Sequence, residues 1–111
     1  MGETMKDPND AIDFIFKKAP DYAAAKGRLA ELENFRHSLK AIKASQAEGN
    51  SIAAKEMEAY RSQEYQDLCK AIGVATEQAE LLRWQLESAK MRFEAWRTQE
   101  ASNRAFDKMV K

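Results

Sequence analysis

The chain has 111 residues, which fits one domain, and it is charged at 32% of its positions while glycine and proline number only four and two. Lysine plus arginine equals aspartate plus glutamate, at 18 each, so the composition disfavours nucleic-acid binding through a broadly basic surface. The single cysteine excludes an intrachain disulfide, and the N-terminus lacks a secretory pattern, so we expect a cytoplasmic protein. No stretch approaches the ~20 apolar residues of a membrane span, so we expect no contact with a membrane.

The first predicted helix covers about residues 8–18, and residues 1–7 are expected to be disordered. Asp7 suits the N-cap and Pro8 the first helical position, since a proline has no backbone N–H to leave unsatisfied there. The predicted apolar face of this helix consists of Ile12, Ile15 and Phe16.

Pro20 is expected to separate this helix from a second one over about residues 20–47, because a residue that precedes proline is disfavoured in the α region. The second helix shows one apolar stripe along its length. Gly27 interrupts it, either as a weak spot that costs up to ~1 kcal/mol relative to alanine or as a point of close approach. The predicted stripe consists of Tyr22, Ala25, Leu29, Leu32, Phe35, Leu39 and Ile42.

A turn follows the second helix. Gly49 is expected to be a left-handed stop, and Asn50 or Ser51 to cap a short third helix over about residues 52–60. Ser62 then either caps a fourth helix or lies at a bend where the third helix runs into the fourth.

The fourth helix, over about residues 63–108, organises the rest of the chain. Its apolar residues recur at alternating spacings of three and four, which is the period of a coiled-coil seam. Roughly 45 helical residues would reach roughly 65–70 Å, too far for a small globule to cover. We therefore predict an all-α fold: an antiparallel helical hairpin or coiled coil with one very long C-terminal helix and two shorter N-terminal and connecting helices. The predicted seam consists of Tyr65, Leu68, Ile72, Ala75, Ala79, Leu82, Leu86, Ala89, Phe93 and Trp96.

Apolar surface is expected on this long helix in two places. The second helix would cover the seam only to about Lys90, which leaves Phe93 and Trp96 to be covered by the first helix or by another chain. The small seam residues suggest close helix approach, within one chain or between chains. A second face, formed by Leu81, Trp84, Met91 and Ala95, packs on the first helix or another subunit, or docks a separate protein. We therefore expect a homodimer or higher homo-oligomer whose protein-interaction residues are Leu81, Trp84, Met91, Phe93, Trp96 and Arg97.

Candidate chemistry is sparse. His37 has Glu33 one turn before it, an ordinary helix-surface pair, and Cys69 is interpreted as a small buried hydrophobe beside the seam. The sequence contains no Glu-x-x-His of di-iron bundles, no cysteine pair for zinc and no glycine-rich phosphate loop. We predict a non-enzymatic protein with no catalytic residue, no metal site and no cofactor.

A nucleic-acid alternative rests on the C-terminal segment, which mixes cations with aromatic residues as single-strand binders do. The segment from Leu81 onward contains seven basic and four acidic residues, which gives a local net charge of 7 − 4 = +3. The interleaved carboxylates favour helix packing, but a single-stranded nucleic-acid-binding accessory protein stays an alternative. Its contact residues would be Arg83, Lys90, Arg92, Arg97, Arg104 and Lys108.

Three segments are distinctive: AAKEMEAY at 53–60, LRW at 82–84 and WRTQEA at 96–101. Over residues 20–107 the chain resembles a group of small, mostly uncharacterised helical proteins of tailed bacteriophages and prophages, encoded near early recombination and replication genes. The resemblance implies an accessory role in phage DNA metabolism in the host cytoplasm, through a protein partner, and supplies no catalytic residue. Inhibition of a host defence protein or nuclease, and a structural or assembly role, remain alternatives.

Overall fold

The computed structural model describes residues 7–110, and these residues form three helices and no strand. Helix α1 spans Pro8–Gln46, α2 spans Ile52–Arg61 and α3 spans Gln63–Val110. The all-α prediction with one very long C-terminal helix is therefore confirmed. The disorder expected for residues 1–6 lies outside the described residues, whereas Asp7 is described and its carboxylate accepts a hydrogen bond from the N–H of Asn9 at 2.9 Å, as a helix cap does.

The helices form two compact units. One unit combines Met1–Tyr22 with Leu81–Lys111, and the other spans Ala23–Glu80. In the first unit, the start of α1 packs on the C-terminal part of α3. In the second unit, the end of α1 meets the start of α3 at a 2.8 Å ion pair between Lys43 and Glu64, so these two segments run antiparallel.

The seam of α3 is buried largely as predicted. From Tyr65 to Phe93, every predicted seam position is buried or half-buried. Within the single chain, Ala75, Ala79 and Ala89 are only 1–2% exposed. Pairing within one chain is therefore sufficient to cover these alanines.

The predicted helix break at Pro20 is wrong, because α1 continues through it. A proline inside a helix removes one backbone hydrogen bond and costs ~3 kcal/mol. Pro20 is exposed, while its neighbours Lys18 and Tyr22 are half-buried, so the proline ring lies on the outward side. The packed side of α1 thus stays continuous, and its burial offsets the local cost. The positions on that side recur in steps of four and three: Ala11, Ile15, Lys18, Tyr22, Ala25, Leu29, Leu32, Arg36, Leu39 and Lys43.

The predicted apolar faces of α1 are wrong at three positions. Phe35 and Ile42 are exposed, and the half-buried inward positions beside them belong to Arg36 and Lys43. The aliphatic stems of long cationic side chains can cover apolar surface while the charged group reaches water. Phe16 is also exposed, whereas Phe14, one of its neighbours along the helix, is half-buried.

The connections differ from prediction in one respect. Gly49 does not adopt a left-handed backbone; a Cβ atom there would lie 2.7 Å from the Cβ of Ala54, so close approach requires the glycine. The Oγ of Ser51 accepts a hydrogen bond from the N–H of Ala54 at 3.1 Å and caps α2. The Oγ of Ser62 accepts one from the N–H of Tyr65 at 3.2 Å, so α2 and α3 are separate helices.

Candidate protein-interaction surfaces

The residues predicted to contact a protein lie on two sides of α3. Residues seven apart share one side of a helix, as Trp84 and Met91 do, and the seam residue Phe93 lies roughly 160° around the axis from Met91. A flat partner surface can therefore contact only one of the two groups at a time. The first group is Leu81, Trp84 and Met91, and the second is Phe93, Trp96 and Arg97.

The first group belongs to a longer feature, which we call the outer stripe. It consists of nine positions from Leu81 to Met109 with the same alternating three-four spacing as the seam, starting two residues after the seam residue Ala79. None of its nine residues is charged, although the whole chain is 32% charged. The outer stripe is Leu81, Trp84, Ser88, Met91, Ala95, Thr98, Ser102, Ala105 and Met109.

The large side chains of the outer stripe are exposed. Trp84 is 55% exposed and Met91 57% exposed. Helix α1 comes close to the start of the stripe, where Phe14 lines a concavity of about 390 Å³ together with Leu81, Trp84 and Ser88. The guanidinium of Arg83 lies 4.8 Å from the ring centroid of Trp84, which adds a cation–π contact on the same helix. The first helix therefore leaves most of this apolar surface open.

The second group, Phe93, Trp96 and Arg97, we call the seam end. Phe93 is half-buried and Trp96 is 40% exposed, and their ring centroids lie 6.0 Å apart. The three residues line a concavity of about 520 Å³, to which Arg104 also contributes. Arg97 donates a hydrogen bond to Glu94 at 3.0 Å, which holds the guanidinium at the edge of this concavity. Tryptophan and arginine in such a recess are the residue types that dominate binding energy at protein interfaces.

The cations proposed for nucleic-acid binding are interleaved with carboxylates. Arg97 is already paired with Glu94 at 3.0 Å. Two more acidic residues precede cations by three positions, which places each pair on the same side of the helix. These are Glu80 before Arg83 and Glu87 before Lys90. Phosphate binding gains most from clustered cations, so this arrangement weakens the nucleic-acid alternative.

Cys69 and His37, which carry reactive side chains, belong to the other compact unit, Ala23–Glu80. Cys69 is exposed, so its interpretation as a buried hydrophobe is wrong. His37 is also exposed and lines a concavity of about 280 Å³ with Lys40 and Glu56. Within residues 7–110 no three His, Cys, Asp or Glu side chains are grouped as metal ligands would be. None of the helices in that range has an apolar run long enough to cross a membrane.

Sequence reasoning missed the C-terminal part of the outer stripe. It identified Leu81, Trp84, Met91 and Ala95 but not the four positions that follow at the same spacing: Thr98, Ser102, Ala105 and Met109. The uncharged three-four spacing does continue through these positions. It is hard to recognise there because most of them are alanine, serine or threonine, which are not large apolar side chains.

Comparison with known proteins returns no match, whether to a protein-family profile, to a curated protein or to a solved structure. The two surfaces of α3 are therefore the observations that bear on function.

Proposed function

We propose that the protein acts by binding another protein, without catalysis, and that the seam end of α3 is the contact site. The supporting observation is the concavity of about 520 Å³ beside Phe93, Trp96 and Arg97. Its apolar wall offers area for an anchoring side chain, and Arg97 and Arg104 offer hydrogen-bond donors at the rim.

The chemistry of the seam end describes the partner. A leucine or aromatic side chain would gain by leaving water against Phe93 and Trp96. A carboxylate or backbone carbonyl next to that side chain would accept hydrogen bonds from Arg97 or Arg104. The partner segment is thus an apolar anchor with acceptors beside it.

The resemblance to proteins of tailed bacteriophages extends this proposal to a biological setting. The partner would be a protein of phage or host DNA recombination or replication, and the chain would act on it in the host cytoplasm. The chain would then serve as an accessory factor that alters the partner's activity or location.

The test compares three immobilised forms of the full chain in lysate from infected host cells. Wild type and Phe106→Ala are expected to retain the same partner, while Trp96→Ala loses it by at least tenfold, as measured by quantitative mass spectrometry. Phe106 is a matched control, since it is an exposed aromatic of α3 that does not line the concavity. A set of retained proteins that is identical for all three forms would contradict the proposal.

A further inference from the structure

Thr98 is the one outer-stripe residue that also lines the seam-end concavity, and the rest of the stripe lies away from it, so the proposed partner site leaves most of the stripe uncovered. It extends from Leu81 to Met109, which is roughly 42 Å of helix. An uncharged three-four repeat maintained over about four heptads is the pattern of a coiled-coil seam. The helix α3 therefore carries two seams, and α1 occupies one of them. We infer that the second seam, the outer stripe, pairs with the outer stripe of a second copy of this chain, with the two α3 helices antiparallel.

The sizes of the side chains favour the antiparallel orientation. In a parallel pair each residue would face its own counterpart, so two Trp84 rings would lie next to layers of facing serines and alanines and would leave gaps. In an antiparallel pair large residues can face small ones in the middle of the stripe. One register matches the stripe from Trp84 to Met109 and leaves Leu81 outside the paired positions. In it Trp84 faces Met109 of the second copy, Ser88 faces Ala105, Met91 faces Ser102 and Ala95 faces Thr98.

The hydroxyl groups of the stripe are compatible with burial in such a pair. Ser88, Thr98 and Ser102 all lie within α3, where a hydroxyl can donate to the backbone carbonyl one turn before it. Thr98 already does so, since its Oγ1 donates to the carbonyl of Glu94 at 3.1 Å. A second copy can therefore cover these side chains without leaving their hydroxyl groups unsatisfied.

The charges beside the stripe favour the same register. Glu87 lies on the flank of the stripe and meets Lys108 of the second copy there, and the two-fold symmetry produces this pair twice. On the same flank, Glu94 faces Ala101 of the second copy, so no carboxylate faces another. At both ends, the sulfur of Met109 lies against the ring of Trp84, a favourable contact between a thioether and an aromatic ring.

The first experiment measures the mass of the full chain in solution by sedimentation equilibrium. Wild type is expected at twice the chain mass of 12.6 kDa, and Met91→Glu at the single-chain mass, because a carboxylate would be buried at the middle of the pair. Val74→Glu is the matched control: Val74 is 55% exposed and Met91 57%, but Val74 precedes the stripe. This control is expected to stay dimeric.

Three results would overturn the inference. A monomeric wild type would leave the outer stripe to a different protein. A dimer that persists in Met91→Glu would place the contact elsewhere on the chain. Loss of the dimer in Val74→Glu as well as Met91→Glu would show that added charge, rather than the stripe, disrupts the dimer. Circular dichroism of each variant identifies any form that has lost its helices.

The second experiment tests the register by reversing charges. Glu87→Lys alone and Lys108→Glu alone are each expected to weaken the dimer roughly tenfold, since each creates two like-charge contacts. The double variant is expected to restore wild-type affinity, and failure to restore it would overturn this register. Trp96 lies on the other side of α3, so the variant Trp96→Ala is expected to remain a dimer. The dimer and the proposed partner site can therefore be tested separately.

Discussion

At the scale of single residues, Arg36 and Lys43 show how a charged chain can still form a continuous packed side. Both occupy inward positions of α1 that apolar residues usually take, and both are half-buried. Their aliphatic stems supply apolar surface, and the charged group of Lys43 reaches Glu64 on α3 at 2.8 Å. Lys43 also helps to specify one register, because another register would separate it from Glu64.

The pair between Lys43 and Glu64 gives a prediction about pH. The hydrogen bond from Lys43 lowers the pKa of the Glu64 carboxyl below its ordinary value of 4.5, and a backbone hydrogen bond adds to this effect. Because the folded-state pKa is depressed, this contribution to stability is present above about pH 4.5 and is lost as the pH falls through the folded-state value. Lys43→Met is expected to raise the Glu64 pKa toward 4.5 in an NMR titration. Lys70→Met, a change at an exposed lysine, is expected to leave it unchanged, and a low Glu64 pKa in Lys43→Met would contradict this account.

The glycines of the chain give a prediction about stability. Gly27 has nothing within 4 Å of an added Cβ atom, so close packing does not require a glycine there. Gly27→Ala is expected to raise the free energy of unfolding by about 0.5–1 kcal/mol, because alanine loses less backbone entropy on forming a helix. Gly49→Ala is the opposing case, because its Cβ would lie 2.7 Å from that of Ala54, and it is expected to destabilise the protein. Denaturant titration of both variants measures the difference, and a lower unfolding free energy for Gly27→Ala would refute the prediction.

At the scale of helices, the sequence allowed α3 to be predicted better than α1. The seam of α3 follows one period with apolar residues at every position, so spacing and residue type agree. In α1 the two signals conflict: Pro20 suggests a break, and apolar Phe35 and Ile42 lie next to the positions that the period selects. The period prevailed in each case, because burial along the whole packed side outweighs one lost hydrogen bond or one exposed aromatic ring. The residue types of the proposed partner site and its separation from the second face were predictable from the helical period. The concavity beside Phe93, Trp96 and Arg97 was not, because it depends on the conformations of long side chains.

The alanines of the seam give a prediction about packing. Ala75 is 2% exposed in the second unit, where the helices approach closely. Ala75→Leu is expected to lower the free energy of unfolding by about 1–3 kcal/mol, because a larger side chain would push the helices apart. Val74→Leu changes the adjacent, exposed position and is expected to have little effect. Equal stability of the two variants, measured by thermal and denaturant unfolding, would show that the seam has room for a leucine at position 75.

At the scale of the whole molecule, the burial is shallow. Among residues 7–110, no side chain larger than alanine is fully buried, and half of the seam residues of α3 are only half-buried. Apolar burial is the main favourable contribution to folding, so a chain with so little of it gains much from any further surface that becomes covered. The exposed tryptophan and methionines of the outer stripe are apolar surface of α3 that a further contact could cover.

This exposed apolar surface leads to a prediction about how stability depends on protein concentration. If a second copy binds only the folded chain, mass action shifts the equilibrium toward the folded state, and the midpoint of thermal unfolding rises with protein concentration. Differential scanning calorimetry over a hundredfold range of concentration is expected to show that rise for wild type and for Val74→Glu. The midpoint of Met91→Glu is expected to stay constant over the same range, because this variant does not associate. A wild-type midpoint that does not depend on concentration would mean that the seam between α1 and α3 stabilises the folded chain without help from the outer stripe.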